Sequence, residues 1–206
     1  MNKKIKRLKN TAKVEFVEKR SVFIGYSTVV KNENEALEII KQKKKEYSDA
    51  THNVYAYIIG DSISRYSDDN EPQGTAGMPV LNSIRMSGIT DVLVVVTRYF
   101  GGILLGAGGL VRAYSTAASM ALEAGGISIF EDYSVYSIDC SYSDYSKITI
   151  ELNNYEAIID NTTFSDTVKI EFAIKTDVSY NFVARINDAF NGRIVPIFKH
   201  SRIDTK

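Results

Sequence analysis

Several features that chains of this size often contain are scarce here, and each scarcity narrows the class of protein. The 206 residues include one cysteine, three prolines and no tryptophan. A lone cysteine, Cys140, permits no internal disulfide, which favours a cytosolic compartment, and we expect it to be a small buried side chain in a strand. One cysteine and two isolated histidines also do not supply the ligands of a usual zinc site.

Long apolar runs are absent as well. No run approaches the ~20 residues of a membrane span, and no apolar segment follows the basic start of the chain, so we expect neither membrane contact nor a secretory signal. The hydrophobic share of 44% is nevertheless enough for packed cores. We therefore expect a cytoplasmic chain of one large domain or two small ones.

The zero net charge is unevenly distributed along the chain. Residues 1–130 carry 17 basic and 13 acidic side chains, whereas residues 131–206 carry 8 and 12. Within residues 1–20, eight basic side chains accompany two acidic ones, and such a basic arm attracts phosphate backbones. The alternative is a solvated terminal segment, because a protein that bound nucleic acid mainly through its overall field would be more basic.

Hydrophobic periodicity predicts two successive series of elements. In the first, strands over 14–20, 21–30, 54–60 and 62–66 accompany helices over 32–45, 79–87 and 107–123, and an evenly apolar strand over 91–97 has both faces buried. In the second, strands over 135–141, 156–162, 167–175 and 194–198 alternate with helices over 144–152 and 179–190. This β-α-β-β-α-β order is typical of a ferredoxin-like unit. We place the two domains at residues 1–132 and 133–206.

Two glycine-dense loops flank the buried strand. In the second loop, glycines separate the strand from a helix start, where free N–H groups and the helix dipole bind anions in many proteins. Arg98 and Arg112 stand on either side and would add positive charge. The spacing fits neither a Walker loop nor the dinucleotide fingerprint. The alternative is that the glycines serve only a sharp crossover and tight packing of helix on sheet.

The first loop is acidic. Asp68, Asp69 and Glu71 lie within four residues and are able to hold Mg²⁺ through water, to cap a tight turn or to pair with arginines; we expect no metal. His52 opens a predicted strand, as a polar strand end or as a site residue. No G-x-S-x-G elbow accompanies it.

Three segments together resemble the signature of the IMPACT (YigZ-type) family: ATHNVYAY, SDDNEPQGTAGMPVL and VVVTRYFGGILLGAGGLVRAYS. The resemblance covers most of residues 15–125. It implies an α+β protein whose N-terminal domain is an α/β sandwich like the second domain of ribosomal protein S-five. It also implies a ferredoxin-like C-terminal domain akin to the last domain of elongation factor G.

The family's signature residues carry over onto this chain with three departures. Asn70 stands where glycine is usual, Val54 replaces a common cysteine, and Leu104 occupies a position often held by lysine, which removes a cation from the loop expected to bind anions. The matching positions are His52, Asn53, Asp68, Asp69, Glu71, Pro72, Gly74, Thr75, Gly77, Pro79, Thr97, Arg98, Tyr99, Phe100, Gly101, Gly102, Gly106, Gly109 and Arg112.

These observations favour a non-catalytic cytosolic protein of translation or its regulation, which contacts RNA, the ribosome or a translation factor and needs no cofactor. Arginines and loop N–H groups would hold phosphates, and two aromatic rings would stack on bases. The alternative is a small-molecule enzyme or sensor with a pocket beside the glycine loop. The predicted binding residues are His52, Asp68, Asp69, Glu71, Gly74, Thr75, Gly77, Arg98, Tyr99, Phe100, Gly101, Gly102, Gly106, Gly108, Gly109 and Arg112.

Overall fold

The computed structural model describes residues 4–205. They divide into two compact units, one comprising Ile5–Ile129 and the other the described residues from Phe130 onward together with Lys4. The division falls within a single long strand, near the boundary predicted after residue 132. Each unit has its own buried core. No helix among the described residues is long and apolar enough to span a membrane.

The first unit contains six strands and three helices within its described residues. They are β1 (Ile5–Leu8), β2 (Ala12–Glu18), β3 (Ser21–Val29), α1 (Glu33–Glu46), β4 (His52–Ile59), β5 (Ile63–Ser67), α2 (Gly77–Ser87), β6 (Val92–Tyr99) and α3 (Ala107–Gly125). The next strand, β7 (Ile127–Cys140), crosses into the second unit, and α4 (Tyr142–Asn154), β8 (Ile158–Phe164), β9 (Val168–Lys175), α5 (Thr176–Ala189) and β10 (Ile197–Asp204) follow it.

The sheet of the first unit has the strand order β2-β3-β6-β4-β5, and all its neighbours are antiparallel. The central strand β6 is buried from Val92 to Arg98, as its unbroken apolar sequence predicted. Its alternate residues serve two cores because successive strand side chains point to opposite faces. Val94 and Val96 pack with α2 and α3, whereas Leu93 and Val95 pack with α1.

The order of elements in the second unit is the predicted β-α-β-β-α-β. Its strands lie in the antiparallel order β10-β7-β9-β8, and α4 and α5 contribute to one core with β7 and β9. The last strand was predicted over 194–198, and this was wrong: it spans Ile197–Asp204. Ile194 is a buried core residue ahead of the strand, and Pro196 has no N–H to donate to a strand ladder, so pairing begins after it.

Strand β7 also begins earlier than predicted, at Ile127 rather than at residue 135. The acidic pair Glu131–Asp132 appeared to be a break in the sequence. In the structure, Glu131 forms ion pairs with Lys175 at 2.6 Å and with Lys4 at 3.1 Å. Its carboxylate is therefore satisfied within the strand, and the chain runs through without a turn.

Candidate functional site

A buried ion pair forms where β6 ends. Arg98, near the end of β6, is 5% exposed, and its Nη1 lies 2.6 Å from Oε1 of Glu71 in the loop between β5 and α2. The hydroxyl of Tyr114, on α3, donates to the same oxygen at 2.7 Å. Burial, together with the Glu71 carboxylate, holds the pKa of Tyr114 well above its ordinary value, so the hydroxyl keeps its proton. Three elements thus meet at one carboxylate.

The rest of the Arg98 guanidinium is held by aromatic rings. Its central carbon lies 5.5 Å from the ring centroids of both Phe23 and Phe100, within the range of a cation–π contact. Its Nη2 is 3.4 Å from the hydroxyl of Ser21. Its Nε is buried and has no hydrogen-bond partner among residues 4–205. The sequence analysis predicted that Arg98 binds a phosphate, but Glu71 already neutralises its charge.

His52 lies directly opposite Arg98 in the β4–β6 ladder. Its Nδ1 is 2.8 Å from the main-chain oxygen of Asp69. Because a carbonyl only accepts, we assign the proton to Nδ1, which leaves Nε2 of the neutral ring as an acceptor. Nε2 lies 3.7 Å from Oε1 of Glu71, which is too far for a hydrogen bond.

The carboxylates of Asp68 and Asp69 cap main-chain N–H groups. Asp68 accepts from Gly74 at 2.9 Å, Ala76 at 3.1 Å and Gly77 at 2.7 Å, and so satisfies donors at the start of α2 that have no partner within the helix. Asp69 accepts from the N–H of Asn53 at 2.6 Å and pairs with Lys44. The sequence analysis left three roles open for this loop: binding of Mg²⁺, capping of a turn and pairing with arginines. The contacts support capping by the aspartates and arginine pairing by Glu71. Within residues 4–205 no group of three histidine, cysteine or acidic side chains is placed to hold a metal.

Some loop glycines serve close backbone contacts and others lie in the open. A Cβ on Gly101 would lie 2.0 Å from the main chain of Arg20, and one on Gly77 would lie 2.6 Å from the carbonyl oxygen of Ser67. These two positions therefore require glycine. Thr75, in the first loop, donates its hydroxyl hydrogen to the carbonyl of Pro72 at 2.6 Å. The other predicted glycines are exposed or lie at the start of α3. The exposed or helix-start glycines are Gly74, Gly102, Gly106, Gly108 and Gly109.

The two aromatic residues predicted to stack on bases differ in availability. The Tyr99 hydroxyl donates to Asp49 at 2.8 Å, a contact that raises the pKa of Tyr99, and the residue is half-buried. Phe100 is 45% exposed, and its N–H donates to the Thr51 hydroxyl at 3.0 Å. Phe100 is the ring of this pair that presents more of its surface.

A cavity of about 450 Å³ brings several of these groups together, and we call it the Arg98 cavity. Five of the predicted residues line it, and the remaining lining is mostly apolar. The predicted residues outside the lining are Asp68, Asp69, Gly74, Thr75, Gly77, Tyr99, Gly101, Gly102, Gly108, Gly109 and Arg112. The lining residues are Thr51, His52, Asn70, Glu71, Pro72, Arg98, Phe100, Leu104, Leu105, Gly106, Ala107 and Leu110.

A second feature of the surface was missed from the sequence. Lys19 and Arg20 form the two-residue turn between β2 and β3, with φ of +46° and +64°. Asparagine and glycine usually occupy both positions of such a turn, because other side chains are disfavoured in the left-handed region. Both residues are exposed, and Lys19 lines a cavity of about 330 Å³ with Arg112. The signal was present: two residues separate the alternating segments VEFVE and SVFIGY.

We call Lys19, Arg20 and Arg112 the cationic cluster. All three side chains are exposed, and none has an ion-pair partner among the residues that the structure describes. Glu18 lines the same cavity, as does Gly109 in the first turn of α3. With Glu18 included, the cationic cluster keeps a positive excess of two charges, and the cavity lining, which does not include Arg20, an excess of one.

Comparisons with known proteins identify relatives over most of the chain. The model of the Impact N-terminal domain matches residues 19–122, which include every predicted site residue, and a domain of unknown function (DUF1949) matches residues 138–193. IMPACT family member YvyE of Bacillus subtilis is 36% identical over 188 residues, covering 90% of this chain and 87% of that protein. IMPACT family member YigZ of Escherichia coli is 32% identical over 180 residues, covering 85% and 88%.

A eukaryotic relative matches a shorter region. The protein IMPACT homolog of Dictyostelium discoideum is 35% identical over 104 residues, which are 48% of this chain and 30% of that protein. A solved structure described as a hypothetical protein is 28% identical and aligns with a TM-score of 0.60 over 97% of this chain and 98% of its own. The full-length bacterial relatives thus share both matched regions of the chain.

Proposed function

This chain belongs to the IMPACT family, and from that premise we propose that it is a non-catalytic protein of translation or its regulation that contacts RNA. The observation that carries the proposal is the cationic cluster. Its three exposed side chains have no acidic partner among the described residues, so their charge is available to phosphate oxygens. Phosphate contacts of this kind supply most of the sequence-independent affinity of proteins for nucleic acids.

The start of α3 reinforces the positive surface. Gly109 and Arg112 line the same cavity as Lys19, and the cap residue Gly106 provides no side-chain acceptor for the first N–H groups of the helix. Free N–H groups and the positive end of the helix dipole attract anions. The exposed cations and the helix start therefore attract phosphates to the same part of the surface.

The contacts change which residues we assign to RNA. Arg112 and Phe100 keep the roles expected from the sequence, whereas Arg98 is neutralised by Glu71 and the Tyr99 hydroxyl is engaged by Asp49. Lys19 replaces Arg98 as a phosphate contact. The proposed RNA surface therefore runs from the β2–β3 turn across the first turns of α3 to the exposed ring of Phe100.

We also propose that the two units adopt the folds that the resemblance implied. The strand order β10-β7-β9-β8 with two helices contributing to one core supports a ferredoxin-like second unit, akin to the last domain of elongation factor G. The five-stranded sheet with α2 and α3 packed together on one face supports an S-five-like first unit. Both folds are common among proteins of translation, which agrees with the proposed function.

Salt-titrated binding to a fluorescently labelled single-stranded RNA tests this proposal. Three phosphate contacts give a slope of log affinity against log salt of about −2. Removing two of them, in the variant Lys19→Ala/Arg112→Ala, leaves a slope of about −0.7. The matched control is Lys41→Ala/Arg85→Ala, which removes one lysine and one arginine from exposed helix positions of the same unit.

We expect the control variant to keep the wild-type salt slope and the test variant to show the smaller slope of about −0.7. No association at low ionic strength contradicts the proposal, and so does equal weakening by the two variants, because either result separates binding from the cationic cluster. A second candidate function, a small-molecule binder, is favoured by one observation: the Arg98 cavity combines the polar side chain of His52 and the ring of Phe100 with a mostly apolar lining. Thermal-shift measurements with nucleotides and metabolites test that candidate directly.

A further inference from the structure

The Arg98 cavity lies beside the cationic cluster and differs from it in chemistry. Leu105, which precedes α3, lines both cavities, and Gly109 and Leu110 of the first turns of α3 line one each. One side of this shared wall is positively charged, and the other is largely apolar. A nucleotide has the same division, with a charged phosphate at one end and an apolar-faced base at the other.

We propose that the Arg98 cavity receives one unstacked nucleobase of the RNA strand whose phosphate lies on the cationic cluster. This inference rests on the proposed function and adds the chemical group that the neighbouring cavity recognises. Sequence-specific and sequence-tolerant RNA-binding proteins alike take unstacked bases from single strands, stack them on aromatic rings and engage their edges.

The walls of the cavity provide the stacking surface. Phe100 is 45% exposed while its ring also contacts the Arg98 guanidinium. Leu104 is 82% exposed. Leu105 and Leu110, which are mostly buried, complete the apolar wall. A planar, apolar-faced group covers such walls well, and every base has an aromatic face. The volume of about 450 Å³ also suits a small aromatic ligand.

The polar side of the cavity offers one acceptor. Nε2 of His52, a lining residue, lies 3.7 Å from Glu71 and is not hydrogen-bonded to it. The edge of a nucleobase carries donors and acceptors side by side, whereas a phosphate does not.

The charge of the cavity also favours a neutral ligand over an anion. Glu71 lies 2.6 Å from the Arg98 guanidinium and cancels its charge. A phosphate in the cavity would therefore meet a carboxylate at close range. On the other side of Leu105 the exposed cations outnumber the one acidic lining residue, Glu18, and have no ion-pair partner among the described residues. The charges therefore favour a base in the Arg98 cavity and a phosphate at the cationic cluster.

The test compares two RNA oligomers of equal length and charge, one carrying bases and the other fully abasic. We expect the protein to bind the base-bearing oligomer about tenfold more tightly, since one base–aromatic stack contributes on that order. Phe100→Ala should reduce the affinity for the base-bearing oligomer to that for the abasic one and leave the abasic affinity unchanged. Tyr180→Ala is the matched control, because Tyr180 is an aromatic residue that is 82% exposed in the second unit.

Two further variants separate the base site from a general loss of structure. Ala107→Trp fills the cavity from an exposed position in the first turn of α3 and should act like Phe100→Ala. His52→Asn retains an N–H that can reach the Asp69 carbonyl and removes the acceptor at Nε2. This variant should reduce the affinity for the base-bearing oligomer and leave the affinity for the abasic oligomer unchanged. Thermal unfolding of each variant confirms that the fold is intact.

The outcomes distinguish this inference from the proposed function. Equal binding of the two oligomers by the wild-type protein, with loss in Lys19→Ala/Arg112→Ala, overturns the base site and leaves RNA contact in place. Binding of neither oligomer overturns both. Free nucleoside monophosphates that bind as tightly as the oligomer, and lose affinity in Phe100→Ala, show that the base comes from a small molecule and overturn the strand as its source.

Discussion

Replacing Glu71 by glutamine tests whether the buried carboxylate holds the site together. The side chain of Glu71 is 3% exposed and its Oε1 lies 2.6 Å from Arg98, which is itself 5% exposed. Removing one partner of a buried ion pair costs about 3 to 5 kcal/mol, because the remaining charge is left uncompensated. Glutamine keeps an acceptor for Arg98 and for Tyr114, so we expect the lower end of the range, about 3 kcal/mol.

Hydrogen exchange of the amides of β6 is the assay, because it reports on the first unit alone and does not depend on the second unit unfolding with it. A loss of about 3 kcal/mol makes the slowest of these amides exchange roughly a hundredfold faster. Glu38→Gln, at an exposed position of α1, is the control and should leave exchange within about 0.5 kcal/mol of wild type. A loss below about 1 kcal/mol in Glu71→Gln would refute the reasoning, since Arg98 would then be solvated or paired elsewhere.

Three further predictions concern the scaffold around the site. Asp68→Ala removes the acceptor of three N–H groups and should destabilise the chain to thermal unfolding by about 1 to 2 kcal/mol, with partial recovery in Asp68→Asn. Gly101→Ala should cost at least about 2 kcal/mol in chemical denaturation, because its Cβ would overlap the main chain of the β2–β3 turn, whereas Gly108→Ala should be neutral or stabilising. Burial raises the pKa of Tyr57 to about 12, so the stability that this phenol contributes is complete below pH ~10 and is lost as the pH rises from about 10 to 12. Tyrosinate absorbance and thermal unfolding over that range check it, and the control variant Tyr57→Phe should lose less stability over the same range while keeping the contributions of Tyr99 and Tyr114, whose pKa values are also raised.

The sequence predicted well the features that depend on local pattern. The unbroken apolar run of β6 indicated burial on both faces, because a strand with one solvated face alternates. The pair Gly125–Gly126 marked the end of α3: Gly125 is its last residue, and the cap Gly126 has the left-handed φ of +69°. The comparisons confirm the family that the loop segments indicated.

The partners of charged residues were not predictable, because they depend on pairing across the sheet and on the path of a loop. Arg98 appeared to be a free cation beside the glycines until the structure placed Glu71 against it. Glu71 reaches that position because Asp69 and Asn70 adopt left-handed φ of +45° and +69°, which turns the acidic loop toward the strand. Nothing in the spacing of SDDNEP indicates which of its carboxylates is buried.

The cationic cluster was missed for the opposite reason. Lys19 and Arg20 were counted within a basic arm, as charge without geometry, although a two-residue gap between alternating segments indicates a hairpin turn. Asparagine or glycine would have revealed the turn. Lys19 and Arg112 are far apart in the sequence, and only the packing of β2 and β3 against α3 brings them to one cavity.

The proposed phosphate contacts are tested by the salt dependence of RNA binding by the wild-type chain and by Lys19→Ala/Arg112→Ala. We expect a log–log slope of about −2 for the wild type that drops to about −0.7 in the variant, while Lys41→Ala/Arg85→Ala keeps the wild-type slope. A wild-type slope near zero, or an unchanged slope in the test variant, would contradict it.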